Sequence, residues 1–374
     1  MIAERARILR RTFRYLKRGV FPPESIDDFT LGRGAELAAI NSRLEDVQGG
    51  SSRHVFIEGA YGRGKSHMLK AIEAIALRKG FGVCWVTLDG QNHACNHPTR
   101  YLHSLLESLR VPGSAIRGLA SLAKYWLRGE KSDQVVAWAR QSTSWLSYPI
   151  FAYQRNPDAA EESSTFNAWI ESRDITHKNG KLWFDMVRQR MQATAALLRA
   201  VGLNGIVYLF DELETVATLL SSARQRFLSY AFLNLLIDGR KHPHCFFAFA
   251  ATPDFGIKLT LDSRYTEHYE NEYSDACRFV QKWQGSSVDT MELRRLKRGD
   301  VVNLCRRLRG YHEEAFMWSL SGRFSDQFLD VFVSETERLN MGTRDVIRSM
   351  VHLLELAEQH PTVDVEDALL ITNK

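Results

Sequence analysis

Eight residues constrain this chain more than any other stretch: Gly59-Ala60-Tyr61-Gly62-Arg63-Gly64-Lys65-Ser66 satisfies G-x-x-x-x-G-K-[ST] in full. They stand directly after a β-rich run, His54 to Glu58, and directly before the helical pattern SHMLKAIEAIALRKG. Glycines at these places let successive backbone N–H groups converge on an anion. The lysine ammonium then reaches the β and γ oxygens of a nucleotide, and the serine hydroxyl suits a magnesium ion. The pattern predicts a P-loop nucleotide site with ATP and Mg2+ as cofactors. Gly59, Ala60, Tyr61, Gly62, Arg63, Gly64, Lys65, Ser66 and the adjoining His67 are its expected nucleotide contacts, with Lys65 also catalytic and Ser66 also on the metal.

The second half of such a site is a strand that ends in acids. Leu209-Phe210-Asp211-Glu212, inside GIVYLFDELE, has that form: Asp211 is placed to hold magnesium through water, and Glu212 to polarise the attacking water. Glu214 is either a further site residue or a solvated helix position. Thr252, at the tip of the run Cys245 to Phe255, either senses the γ-phosphate or belongs to a turn that merely ends the strand. Arg344 falls in the first turn of a helix beginning at Met341-Gly342-Thr343. A cation there opposes the helix dipole, which points to an external anion such as a nucleotide phosphate, unless the arginine is simply exposed.

Around these motifs the chain reads as α/β. Val83 to Asp89 follows the loop's helix as a second strand, so a β-loop-α-β unit and a parallel sheet are expected. The runs around Ile206 and Cys245 are near-continuously apolar, as strands covered on both faces are. The expected layout has N-terminal helices over residues 1–50, a P-loop core over 51–290 and a helical C-terminal subdomain over 291–374. Within the core, a helical insertion at about 111–203 carries Trp126, Trp138, Trp145, Trp169 and Trp183, with a loop around Asn156 to Ser164. Tryptophans so spaced fill a helix-bundle core more often than they stack on bases. The first helix sets Ile8, Phe13, Leu16 and Val20 among arginines and is expected to stop before Pro22 and Pro23. A helix from about Ala35 to Val47 follows.

The net charge of +5 and pI near 8.9 permit a nucleic-acid partner without demanding one. Basic residues concentrate in the first helix and again from Arg294 to Arg309, and either run could be a solvated helix face or a phosphate contact. Five scattered cysteines, Cys84, Cys95, Cys245, Cys277 and Cys305, form no CxxC pair, which fits a reducing cytoplasm. His93, His97 and His103 near Cys95 match no metal-ligand spacing and read as a solvated loop. No apolar run is long enough for a membrane span, and no G-x-S-x-G elbow suggests a serine hydrolase.

Taken together, these residues resemble the ATP-binding proteins of bacterial BREX phage-defence systems, the BrxD-like group related to the larger BrxC/PglY proteins, within the AAA+ and STAND-like P-loop ATPases. The stretches that carry the resemblance are RRTFRYLKRGVFPP, FTLGRGAEL, FIEGAYGRGKSHMLKAI, LDGQNHACNHPTRYLHSLLESLRVP, LFDELE, FAATPDF, LKRGDVVNLCRRLRGYHEEAF and GTRDVIRSMVHLLELA. The resemblance implies that Gly32 and Arg33 lie near the adenine, with Thr252 as first and Arg344 as second sensor. It also implies other defence-system proteins as partners, a possible homo-oligomer, and an arginine finger for which Arg264 and Arg278 are candidates by position alone. The leading expectation is an ATP-driven or ATP-switched defence component acting on DNA. Alternatives are a nucleotide-dependent protein-assembly scaffold with little turnover and a replication-initiator-like ATPase. The adjacent acids and helical C-terminal part argue against a small-molecule kinase.

Overall fold

The computed structural model describes residues 2–18, 26–142, 144–175, 181–319, 322–360 and 362. These pack as two compact units. One comprises residues 36–58 and 72–292, the other residues 1–35, 59–71 and 293–374. The phosphate loop therefore groups with the C-terminal helices, whereas the expected layout had placed it within 51–290.

The larger unit is built on a five-stranded parallel sheet: β1 Arg53–Glu58, β2 Gly82–Thr87, β3 Ile206–Asp211, β4 Cys245–Ala251 and β5 Thr290–Glu292, in the order β2-β3-β4-β1-β5. Every residue of β3 and β4 is buried, as expected for parallel strands with helices on both faces. Aromatic side chains stack from strand to strand. Phe249 lies 4.6 Å from Phe56 and 5.0 Å from Phe210, and Tyr208 lies 5.4 Å from Phe247. These pairs fix register through the side chains as well as the ladder.

Four strands agree with the sequence reading to within a few residues at their ends. The fifth escaped it because Thr290-Met291-Glu292 buries only its central residue and offers no apolar run. Its register is nonetheless set, with Phe56, Ile57 and Glu58 facing Thr290, Met291 and Glu292.

Between β2 and β3 the chain is helical, with helices that include Leu119–Arg128, Ser132–Gln141, Ser147–Arg155 and Lys181–Ala200. The loop expected from Asn156 to Ser164 is instead two short helices, Pro157–Glu162 and Ser164–Ile170. Asn156 accepts from the Ala159 N–H and Ser163 from the Phe166 N–H, and proline occupies the first turn of the former helix. The residues taken for turn formers are thus helix N-caps. Trp126 is buried and Trp138, Trp145 and Trp183 pack against the core, as expected, whereas Trp169 is 37% exposed. Arg190 locks the insertion: its guanidinium makes two 2.7 Å bonds to Asp174 and lies 4.5 Å from the Trp145 ring centre.

In the smaller unit, helices Ile2–Leu16, Arg298–Phe316, Asp326–Arg338 and Thr343–Gln359 enclose a second core containing Leu9, Phe13, Leu308, Phe332 and Leu354. Ile8, expected on the buried face of the first helix, is 44% exposed, and Leu9 takes that role. The proposed stop at Pro22 and Pro23, like Val20, lies outside the described residues. No described helix is long and apolar enough to cross a membrane.

Candidate functional site

The phosphate loop leaves the C-terminal end of β1, where Glu58 passes directly to Gly59. Open parallel sheets bind ligands beyond this edge. Gly62 and Gly64 adopt φ of +78° and +92°, left-handed conformations that glycine reaches without a Cβ penalty. Gly59 is required for another reason: a Cβ there would come within 3.3 Å of Arg63 Cβ and of Leu293. Lys65 is nearly buried at the start of helix Lys65–Arg78, and its Nζ donates to the Gly59 carbonyl at 2.9 Å. Ser66 begins the same helix one residue later, while Ala60 and Tyr61 form the outer part of the loop, with Tyr61 82% exposed.

Of the other expected contacts, Arg33 braces the loop directly, and Gly32 and His67 pack against further residues of the smaller unit. Arg33, 8% exposed, donates to the Arg63 carbonyl at 3.2 Å and the Arg294 carbonyl at 2.8 Å. Gly32, at φ +66°, lies so close to Asp300 that a Cβ would stand 2.6 Å from Oδ2. His67 Nε2 pairs with Thr30 Oγ1 at 2.8 Å. Burial, with the Arg33 charge second, pushes the His67 pKa down to about 4, so the ring is neutral near pH 7. Arg344, exposed in the first turn of helix Thr343–Gln359, places Nη1 3.5 Å from the Tyr61 hydroxyl. Gly342, which caps that helix, approaches Gly62: a Cβ on either glycine would meet the other's Cα at 3.6 Å. The sequence brings Arg344 within reach of the phosphate loop although 283 positions separate it from Tyr61.

In the larger unit, β3 ends at Asp211, which is 6% exposed and accepts from the Glu212 N–H at 3.0 Å. Glu212 is exposed and held at φ +59°. A non-glycine residue in this region is uncommon, and such strain gathers at functional sites. β4 separates β3 from β1, which sets the ends of the two strands roughly 10 Å apart at usual strand spacing.

Thr252 follows β4 and caps helix Pro253–Asp262. Its hydroxyl donates to Asp254 Oδ2 at 3.0 Å, and its N–H donates to Glu214 Oε2 at 3.3 Å. Glu214 is therefore engaged with the turn after β4 and is not merely a solvated helix position. Of the arginines considered as fingers, Arg264 folds over Tyr265, its guanidinium 4.7 Å from the ring centre, and Arg278 pairs with Asp275 at 3.4 Å.

Glu58 was missed by sequence reasoning. It ends β1 beside Glu292 of β5, and burial first, the neighbouring carboxylate second, raises its pKa. Only the unforeseen β5 pairs these acids, so no sequence signal could have linked them.

The His93–His103 stretch holds no metal cluster among the described residues. It is also less solvated than expected. Cys95 and Asn96 are buried, and His103 Nδ1 lies 3.0 Å from the Glu171 carbonyl.

Comparison with known proteins adds one finding. A family model described as "BREX system ATP-binding protein BrxC/D" matches residues 5–142 and 172–373. No curated protein and no solved structure matches the chain. The matched residues include the phosphate loop, Asp211, Glu212, Thr252 and Arg344, and they cover most of the length: the chain belongs to the BrxC/D family of BREX system ATP-binding proteins.

Proposed function

We propose that the protein binds Mg-ATP through Gly59 to His67 and hydrolyses it, and that the nucleotide cycle drives or switches a BREX defence assembly acting on DNA. The observation that carries this reading is the pair of strand ends. β1 runs straight into a complete phosphate loop with two left-handed glycines, and β3 delivers a buried Asp211 followed by a strained, exposed Glu212. A buried acid suited to a cation next to an exposed one suited to water is the division of labour that ATP hydrolysis requires.

In this reading Lys65 exchanges the Gly59 carbonyl for a phosphate oxygen, a replacement that retains a charge-assisted bond. Ser66 and Asp211 supply the hard oxygen donors that magnesium takes, and that ion, when bound, offsets charge on the β and γ phosphoryl oxygens. Glu212 orients and deprotonates water. Thr252, held through Glu214, reports the γ-phosphate across the strand ends, and Arg344 meets phosphate charge from the C-terminal helix. Gly32 and Arg33 lie near the adenine, with Arg33 also bonded to the loop at the Arg63 carbonyl. Assembly into a homo-oligomer would bring in Arg264 or Arg278 from a neighbour.

The test is ATP binding and turnover by the purified protein, with and without duplex DNA. Lys65→Ala should abolish binding, and Glu212→Gln should retain binding while lowering turnover by about a hundredfold or more. DNA should stimulate the wild type. Absence of nucleotide binding would sink the reading. Tight binding with negligible turnover would favour a second one, a nucleotide-dependent scaffold, for which the exposed Tyr148, Phe151 and Trp169 of the insertion supply a docking face.

A further inference from the structure

Arg344 carries its charge in an unfavourable place. It lies in the first turn of helix Thr343–Gln359, where the positive end of the helix dipole repels a cation, and it is exposed. A long guanidinium side chain there has much rotamer freedom. Fixing it on an anion costs that freedom unless the side chain is already held in place.

Tyr61 supplies the hold. The ring stands at the tip of the phosphate loop and is 82% exposed, so packing does not account for it. Its hydroxyl is the side-chain partner that the described residues give Arg344, accepting from Nη1 at 3.5 Å. The two come within reach because the backbones behind them meet: a Cβ on Gly62 or Gly342 would stand 3.6 Å from the other's Cα. The turn leading into the helix is fixed as well. Arg295 donates through Nη1 to Asn340 Oδ1 and through Nη2 to the Met341 carbonyl, each at 3.3 Å. Asn340 takes φ of +51°, a left-handed conformation that asparagine adopts more readily than most residues. Every one of these residues belongs to the smaller unit.

We propose that Tyr61 is a positioning residue, whose hydroxyl holds the Arg344 guanidinium at the tip of the phosphate loop before nucleotide arrives. It rests on the reading that the loop binds Mg-ATP and that Arg344 meets phosphate charge, and it adds what places the arginine. A phenol suits this task for two reasons. It is neutral, so it orients the cation without offsetting its charge, as a carboxylate would. It also occupies one of the five N–H donors of a guanidinium, which leaves the others for phosphate oxygens. A ring that merely stacked on the base would work equally well without its hydroxyl, and the phenylalanine variant separates the two roles.

The experiment is a double-mutant cycle on the full chain, reading the Kd of Mg-ATP by calorimetry for the wild type, Tyr61→Phe, Arg344→Gln and the two combined. Both side chains are exposed, so neither substitution opens a core. Tyr61→Phe should raise Kd about threefold to tenfold, the usual worth of one hydrogen bond. It should have no further effect once Arg344 is replaced. In turnover it should raise KM by the same factor and leave kcat within about twofold, because ground state and transition state lose the same contact. A loop distorted around Lys65 would lower kcat instead. Wild-type affinity in Tyr61→Phe, a loss that persists undiminished beside Arg344→Gln, or a fall in kcat matching the rise in KM each overturns the proposal and leaves nucleotide binding in place. A wild type that binds no nucleotide removes the reading of the site, and this inference with it.

Discussion

The sheet and the helices inserted between β2 and β3 share one hydrophobic core, yet they are built on different principles. In the sheet, order comes from continuous burial: β3 and β4 expose no residue, and Phe56, Phe249 and Phe210 stack across three adjacent strands. In the insertion, burial comes from single faces of short helices, which put Leu122, Trp126, Ile150 and Phe166 into that core, supplemented by caps and anchors at Asn156, Ser163 and the Arg190–Asp174–Trp145 cluster. The family match runs through the sheet but passes over residues 143–171, the stretch that carries the exposed Tyr148, Phe151 and Trp169. A scaffold that presents a nucleotide loop needs fixed strand ends. A set of surface helices needs only to stay attached.

The largest test of that difference is at the centre of the sheet. Phe249→Ala removes a fully buried ring between Phe56 and Phe210. It should cost about 3–5 kcal/mol, because the ordered strands on either side cannot collapse into the space. Chemical denaturation with paired fluorescence and circular dichroism measures it. A loss below about 1 kcal/mol would mean that the sheet is not the rigid element of this unit.

Acid should separate the two regions next. His242, fully buried before β4, meets the Phe247 ring edge-on at 5.0 Å and pairs through Nε2 with the Leu235 carbonyl, and burial pushes its pKa down to about 4. The folded protein therefore binds fewer protons than the unfolded chain between the ordinary histidine value near 6.5 and 4. His242 accordingly contributes full stability above pH 6.5 and loses it as pH falls through that window, by about 3 kcal/mol. His242→Gln should flatten this part of the stability curve. The inserted helices from Leu119 to Ala200 contain no histidine among their described residues, so hydrogen exchange near pH 5 should loosen the strands around β4 first. Equal loosening in both regions would break the comparison.

Legibility in the sequence follows the same divide. The positive-φ glycines of the phosphate loop, the acids that end β3 and four strands were readable because each is a local pattern with a physical reason: glycines where φ turns positive, acids where an apolar strand stops, apolar runs where both faces are covered. What escaped is non-local. β5 is three residues whose pairing depends on β1, and the Glu58–Glu292 neighbours exist only through it. Arg344 could be suspected from its helix position, but its approach to Tyr61 depends on how the last helix packs. The loop assigned to residues 156–164 failed differently. Asn, Pro and Ser are shared by turns and helix starts, and the side-chain bonds to Ala159 and Phe166 decide which is made.

The smallest expected effect on stability is at Trp169, and it sharpens the contrast because it separates stability from recognition. Its ring meets Tyr148 edge-on at 5.4 Å, and the two side chains are 37% and 60% exposed. A partly solvated aromatic pair of this kind is worth about 1 kcal/mol or less, so Trp169→Ala should barely move the denaturation midpoint and should leave ATP binding unaltered. If the insertion is a docking face, the same substitution should still weaken association with other components of the defence system, measured by co-purification of tagged wild-type and variant protein from cells expressing the full set. A Trp169→Ala variant that is as stable and as well associated as the wild type would leave the exposed aromatics without a role in assembly. One that unfolds would show that the insertion is held by its surface, contrary to the anchoring seen at Arg190.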